Sequence, residues 1–122
     1  MKDYSIIVPV YCNAGTIENL VNQIYSKVLK KNKDLDGEIV FCDDGSYDDS
    51  FEILVKIKKN FEDIKIIKLT RNYGQIPALY SGLENIISKT YIVISADLQD
   101  PVELINEFLK FHFDEKFEII AG

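Results

Sequence analysis

Tryptophan is absent from this chain of 122 residues, and cysteine, proline and histidine are scarce. Two cysteines, Cys12 and Cys42, are too few for a disulfide framework, and no CxxC pair indicates a metal site, so we expect free thiols. No apolar run approaches the roughly 18 residues of a membrane helix, and the N-terminal apolar stretch is too short for a signal peptide. These absences predict a cytoplasmic location.

The charge balance is acidic, with 20 Asp and Glu against 14 Lys and Arg and a net charge of -6. Such a chain has little to neutralise a run of phosphates, so we exclude nucleic-acid binding. The content of 47% hydrophobic and 28% charged residues is typical of a globular protein. No repeat, low-complexity tract or linker interrupts the sequence, and its length predicts one domain over residues 1–122.

Short β-branched runs alternate with segments of helical periodicity along the chain. The strands are predicted at residues 4–10, 38–42, 64–69, 91–95 and 117–121. A fourth helix is predicted at about 101–112. The alternation predicts an α/β fold with a mostly parallel sheet and right-handed crossovers. The predicted apolar faces of the first three helices are Ile17, Leu20, Val21, Ile24, Tyr25, Val28 and Leu29; Phe51, Leu54 and Val55; and Ile76, Leu79, Tyr80, Leu83, Ile86 and Ile87.

Polar side chains follow the carboxyl ends of the first four predicted strands. In open parallel sheets, ligands bind beyond those ends, so we expect one site at this edge. The clusters are Asn13, Asp43 with Asp44, Arg71 with Asn72, and Asp97 with Gln99.

Asp97 and Gln99 are two residues apart, which puts both side chains on one side if the strand geometry persists. Carboxylate and amide oxygens are hard ligands suited to Mg²⁺ or Mn²⁺, and a bound diphosphate would supply further ligands. Asp100 precedes Pro101 and stands three residues before Glu103, which is typical of a helix cap. Asp97 has no such structural explanation, so we favour it as a metal ligand.

Two other clusters each leave alternatives open. Asp43 and Asp44 before Gly45 form either a solvated turn or an acceptor for a base N–H or ribose hydroxyls. Arg71 is the only arginine, and its planar guanidinium suits a phosphate, although a simple surface arginine is the alternative. His112, at the edge of the fourth helix, is interpreted as a packing residue.

Four segments together resemble family 2 glycosyltransferases in order and spacing. They are VPVY at 8–11, FCDDGSYDDS at 41–50, LTRNYGQIPALYSGL at 69–83 and SADLQDPVELI at 95–105. The DLQDP string is similar to the polyprenyl-phosphate sugar transferases. The resemblance implies a GT-A fold, of which this chain would be the Rossmann-like N-terminal half that binds a nucleotide-sugar.

The resemblance also implies site residues and a divalent cofactor, Mg²⁺ or Mn²⁺. Pro9 and Tyr11 would line the base pocket, and Asp43 would bind the base or ribose. The chain departs from many relatives at Cys12-Asn13, where they have Asn-Glu, and at Ser95, where some have Asp. The full implied nucleotide-binding set is Pro9, Tyr11, Asp43, Asp44, Arg71 and Asp97, with Asp97 and Gln99 as metal ligands.

The implied activity is metal-dependent, inverting transfer from a UDP- or GDP-sugar to an acceptor, with polyprenyl phosphate as one acceptor class. No catalytic base is identified. We expect the acceptor-binding part, and any contact with a membrane, to lie in a C-terminal region that this chain lacks. We therefore expect no efficient transfer by this chain alone; a homo-oligomer is also an open expectation. The alternatives are an inert nucleotide-diphosphate-binding module and a phosphorelay receiver.

Overall fold

The computed structural model describes residues 1–97 and 101–114, except for the side chain at position 114. The fifth predicted strand at 117–121, Gln99 and the predicted cap Asp100 lie outside the described residues. The elements are β1 (Tyr4–Val10), α1 (Ile17–Ile24), β2 (Gly37–Asp43), α2 (Ser50–Lys58), β3 (Ile64–Lys68), α3 (Gln75–Asn85), β4 (Tyr91–Val93) and α4 (Leu104–Leu109). The helices α1 and α4 continue into π-helical turns at Tyr25–Leu29 and Lys110–Asp114.

The four described strands form one parallel sheet in the order β3-β2-β1-β4. The register pairs Val8 with Phe41 and Ile6 with Ile92. This is the strand order of Rossmann-type halves, whereas a receiver has the order 2-1-3-4-5. The predicted α/β fold with a parallel sheet is therefore confirmed, and the receiver alternative is wrong.

The sheet is covered on both faces. All seven residues of β1 and all seven of β2 are buried, as expected for central strands of a parallel sheet. One face packs with α1, α2 and α4 around Ile6, Val8 and Phe41. The opposite face packs with α3 around Ile7 and Val40.

The predicted apolar face of the third helix is wrong in part. Ile87, which is 75% exposed, lies beyond the end of α3, and within the helix Ile76 and Tyr80 are 63% and 59% exposed. The reason is that α3 approaches the sheet through small residues, Ala78 and Gly82. A Cβ on Gly82 would lie 2.8 Å from Cys42 Sγ, so large side chains fit only beside this line of contact.

Smaller differences concern element ends and one side chain of α2. Val55 is 37% exposed, because α2 buries the face that carries Ser50, Leu54 and Ile57. The strands β3 and β4 end before the predicted positions, and α4 begins at Leu104 rather than at 101. Within residues 1–97 and 101–114, no helix combines the length and apolar character needed to cross a membrane.

Candidate functional site

A cavity of about 280 Å³ opens at the carboxyl edge of the sheet. It lies where the chain leaves β1, with β2 and β3 on one side of that strand and β4 on the other. This change of direction is where open α/β sheets bind ligands. The lining residues come from the end of β1, the start of α3 and the segments that follow all four strands. They are Pro9, Val10, Tyr11, Asn13, Asp44, Asn72, Gly74, Gln75, Ser95 and Ala96.

The loop after β1 forms one wall. Pro9 is buried and Tyr11 is half-exposed, and both predicted base-pocket residues line the cavity. Tyr11 N–H donates to Asn13 Oδ1 at 2.9 Å, which holds the turn. Cys12 has a φ of 56°, a left-handed conformation that costs a non-glycine residue about 1 kcal/mol.

Tyr47 is a neighbour of Tyr11 that the sequence analysis missed. The two rings meet edge to face, with centroids 6.0 Å apart, and Tyr47 is highly exposed. An aromatic residue standing among the polar residues of the segment at 43–50 was the signal that could have found it. The pair presents an aromatic surface at the rim of the cavity.

Asp43 lies beneath the loop that follows β1. It is fully buried, and its Oδ1 accepts a hydrogen bond from Ser46 Oγ at 2.5 Å. Ser46 Oγ in turn accepts from Cys12 N–H at 2.9 Å, so Asp43 supports the loop after β1 through the serine. Among the described residues, Asp43 Oδ2 has no hydrogen-bond partner. Asp43 is not among the lining residues, and its predicted contact with the nucleotide stays a prediction.

Asp44 lines the cavity but has unexpected partners. Its carboxylate is 3% exposed; Oδ1 accepts from Tyr73 N–H at 2.8 Å and Oδ2 accepts from Gly74 N–H at 2.9 Å. Asp44 N–H donates to the Val10 carbonyl at 2.8 Å. Asp44 therefore links β1 to the loop after β3.

Arg71 is exposed beside the cavity rather than among its lining residues. Its guanidinium lies over the Tyr73 ring, 4.7 Å from the centroid. The Thr70 hydroxyl and then the Arg71 guanidinium lower the pKa of the Tyr73 phenol. The predicted role of Arg71 in binding phosphate stays a prediction.

Asp97 is exposed and follows the cavity-lining residues Ser95 and Ala96. Ser95 Oγ donates to Asp97 Oδ1 at 2.7 Å. Thr16 Oγ1 donates to the Ala96 carbonyl at 2.6 Å, which ties the start of α1 to this loop. The structure thus brings Asp97 to the same edge as Tyr11 and Asp44.

The described residues include no cluster of three or more His, Cys, Asp or Glu side chains able to hold a metal. Asp97 supplies one hard carboxylate ligand, and the second predicted ligand, Gln99, lies outside the described residues. This donor set fits Mg²⁺ or Mn²⁺ only if a ligand such as a diphosphate completes the coordination.

Cys12, Cys42 and His112 are not among the residues that line the cavity. Cys12 and Cys42 are both free thiols, and burial raises the pKa of Cys42 to about 11. His112 Nε2 lies 2.9 Å from Thr90 Oγ1, and its ring packs edge to face on Phe113. These contacts lie away from the cavity-lining residues.

Comparison with known proteins identifies the family of this chain. The model of glycosyl transferase family 2 matches residues 5–122. The chain therefore belongs to this family.

Two relatives are similar over nearly the whole chain. The putative glycosyltransferase CsbB of Bacillus subtilis is 35% identical over 117 residues, which cover 96% of this chain and 35% of CsbB. The undecaprenyl-phosphate 4-deoxy-4-formamido-L-arabinose transferase of Salmonella choleraesuis is 32% identical over 99% of this chain and 36% of its own length. This chain spans about a third of the length of the curated relatives it matches.

Solved structures share the fold. The mannosyltransferase PcManGT from Pyrobaculum calidifontis, in complex with GDP-Man and Mn²⁺, has a TM-score of 0.77 at 22% identity, covering 93% of this chain and 35% of that one. S. aureus TarS 1-349 has a TM-score of 0.75 at 24% identity, covering 93% of this chain and 32% of its own. The fold is thus that of the GT-A glycosyltransferases.

Proposed function

We propose that this chain is the nucleotide-sugar-binding part of a glycosyltransferase. The observation that carries the proposal is the cavity at the carboxyl edge, which places Pro9, Tyr11 and Asp44 in its lining and Asp97 immediately after Ser95 and Ala96. The cavity combines an aromatic wall, backbone and amide groups, and a nearby carboxylate. These are the groups that a base, a ribose and a metal-bound diphosphate require.

The donor is a UDP- or GDP-sugar. TarS has been solved with UDP-GlcNAc, and PcManGT with GDP-Man and Mn²⁺, and both share this fold. In this chain the base would lie against Pro9 and Tyr11. Asp43 and Arg71 would bind the base or ribose and the phosphate respectively.

Mg²⁺ or Mn²⁺ would be held by Asp97 and Gln99 on the diphosphate. A divalent cation there neutralises charge as the nucleoside diphosphate departs and so lowers the barrier to transfer. The Ser95 hydroxyl orients Asp97 through its hydrogen bond to Oδ1. Ser95 itself would be a weak ligand.

The acceptor would be a polyprenyl phosphate. Support comes from the Salmonella relative, whose name specifies undecaprenyl phosphate. A phosphate acceptor is already anionic, so inverting transfer to it needs no strong general base. The acceptor site would lie in the further length that the relatives have, with the reaction on the cytoplasmic side of a membrane. A homo-oligomer is compatible with this proposal, but it is not needed for it.

Thermal denaturation with a panel of nucleotides tests the proposal. With Mn²⁺, either UDP or GDP at a hundredfold excess over its dissociation constant would stabilise the folded chain by about 2.7 kcal/mol, whereas ADP and CDP would not. Tyr11→Ala should remove most of that shift, and Tyr80→Ala, an exposed tyrosine on α3, should retain it. Equal shifts for all four nucleotides, or none, would contradict a base-selective site.

The same chain could instead be an inert nucleotide-diphosphate-binding module. Both hypotheses predict binding, so the discriminating measurement is sugar transfer to polyprenyl phosphate by the longer parent protein. Transfer that Asp97→Asn abolishes supports the enzyme. Tight nucleotide binding without transfer or donor hydrolysis supports the inert module.

A further inference from the structure

Both oxygens of the Asp44 carboxylate accept hydrogen bonds from the protein's own backbone. Its two oxygens accept separate N–H groups, from Tyr73 at 2.8 Å and from Gly74 at 2.9 Å, 29 and 30 residues further along the chain. Hydrogen bonds to an ionised acceptor are short and strong, and burial makes their loss costly. Each oxygen therefore has a backbone partner already, and at 3% exposure little of Asp44 is accessible to a ligand.

The residue after Asp44 fits the same segment closely. Gly45 has a φ of +68°, and a Cβ built there would lie 2.3 Å from the Arg71 carbonyl carbon and 2.5 Å from Asn72 N. Residues 44 and 45 therefore both contact the segment at 71–74. The Asp44 carboxylate accepts hydrogen bonds from the N–H groups of Tyr73 and Gly74. Gly45, which has no side chain, allows the backbone of residues 71 and 72 to pack directly against it.

The held segment belongs to the cavity. Asn72 and Gly74 line it, together with Gln75, the first residue of α3. Gly74 has a φ of 103° and a ψ of 162°, a conformation that glycine adopts and other residues rarely do. The position of this wall thus depends on a loop with no regular secondary structure. Asp44, the residue that follows β2, holds this loop through its hydrogen bonds to Tyr73 N–H and Gly74 N–H.

We propose that Asp44 is a positioning residue that fixes the segment at 71–74 as the ligand-facing wall of the cavity, rather than a residue that binds the nucleotide itself. The two hydrogen bonds from the N–H groups of Tyr73 and Gly74 to Asp44, called the clasp below, are made entirely by groups of this chain. The expected effect of the clasp on nucleotide affinity rests on the proposed function. Its expected effect on the position of the segment at 71–74 does not depend on that function.

The chain offers a direct probe of the clasp, because Arg71 is its only arginine. A protease specific for arginine can therefore cut at one place, inside the clasped segment, and yields fragments 1–71 and 72–122. Cleavage needs the segment to open and extend, so under conditions of rapid reclosing its rate reports the open population. Asp44→Asn keeps the shape but removes the charge and one acceptor, and we expect cleavage about tenfold faster.

Two controls separate the clasp from other effects. Asp49→Asn makes the same charge change at an exposed neighbour without a side-chain capping bond, and should leave cleavage at the wild-type rate. Ile57→Val weakens the core elsewhere and supplies a variant of similarly reduced stability. Wild-type cleavage of Asp44→Asn, or equal acceleration by Ile57→Val at matched stability, would overturn the proposal.

Nucleotide titration gives the second readout. If the clasp positions the wall, Asp44→Asn weakens binding of UDP or GDP with Mn²⁺ about tenfold, bound nucleotide slows cleavage at Arg71, and Ile57→Val keeps the wild-type affinity. Weaker binding by Asp44→Asn with unchanged cleavage of the free protein would show that Asp44 contacts the ligand and would overturn the clasp. If wild type binds neither nucleotide, the proposed function is wrong. The cleavage rates would still show whether Asp44 holds the segment at 71–74 in place.

Discussion

The two edges of the sheet use their carboxylates differently. At the amino edge they pair with lysines: Lys2 with Asp36 at 3.0 Å, Lys89 with Asp3 at 3.0 Å, and Lys65 with the buried Glu38 at 2.9 Å. At the carboxyl edge, Asp43 and Asp44 form no ion pair with a described residue. Their partners are a hydroxyl and backbone N–H groups.

This difference distinguishes a structural edge from the edge that we propose binds the nucleotide-sugar. Charges paired with lysines at the amino edge connect the chain segments that enter β1, β2 and β4. At the carboxyl edge, Asp44 lines the cavity and Asp43 is buried beneath the loop after β1. Under the proposed function, a divalent cation that binds together with a diphosphate would supply positive charge at this edge. Substitutions at the amino edge should therefore change stability alone, and those at the carboxyl edge should also change ligand binding.

The largest expected effect comes from Gly45→Ala at the carboxyl edge. The new Cβ would collide with the Arg71 backbone, and φ is +68°, so we expect a loss of about 3 kcal/mol in unfolding free energy. Urea unfolding measures it. Gly15→Ala is the matched control, since a Cβ there meets nothing within 4 Å. Equal stability of the two variants would show that the loops at 45 and 71–72 are not packed as described.

Glu38→Ala tests the amino edge. It removes the acceptor of the Ser5 hydroxyl, 2.8 Å away, and the partner of Lys65, and leaves a space in the sheet. We expect a loss of about 2 kcal/mol in urea unfolding, because the deleted group is buried and hydrogen-bonded. Nucleotide affinity should stay within twofold of wild type. A tenfold loss of nucleotide affinity in folded Glu38→Ala would contradict the view that only the carboxyl edge affects ligand binding.

Thr16→Val is a smaller change at the carboxyl edge. It removes the hydrogen bond from Oγ1 to the Ala96 carbonyl and keeps the volume of the side chain, so we expect about 1 kcal/mol of lost stability. Since that bond holds the loop leading to Asp97, metal-dependent nucleotide binding should weaken as well. Thr90→Val, on the segment entering β4, is the comparison variant. Equal binding by both would argue against a role for Thr16 in placing the loop.

The last prediction concerns thiol labelling, which substitutes no residue of the chain and has the smallest expected effect on stability. Burial raises the pKa of Cys42 to about 11, so at pH 8 its thiol stays protonated and inaccessible. We expect iodoacetamide to label the half-buried Cys12 and to spare Cys42, as read by mass spectrometry of the intact and digested chain. Labelling of Cys42 in the folded protein would contradict its burial against α3.

The strand positions and the gathering of polar residues at the carboxyl edge were predictable from the sequence, for a physical reason. Apart from Ser5 and Glu38, the runs at 4–10 and 38–42 are apolar, because both strands are buried on both faces. Polar residues that follow parallel strands meet at one edge of the sheet. The exposed side of α3 was not predictable, because packing through Ala78 and Gly82 depends on the distance between helix and sheet. Nor was the role of Asp44, since its partners are backbone N–H groups, which leave no signature in residue types.

Calorimetric titration of UDP and of GDP, in Mn²⁺ and in EDTA, tests the central claim most directly. Wild type and Asp49→Asn should bind one of the two in Mn²⁺, and affinity should fall at least about tenfold in EDTA or with Asp97→Asn, as expected when a charged ligand is lost. Binding of neither nucleotide by the folded chain, or binding unchanged by EDTA and by Asp97→Asn, would contradict a metal-dependent nucleotide site at this edge.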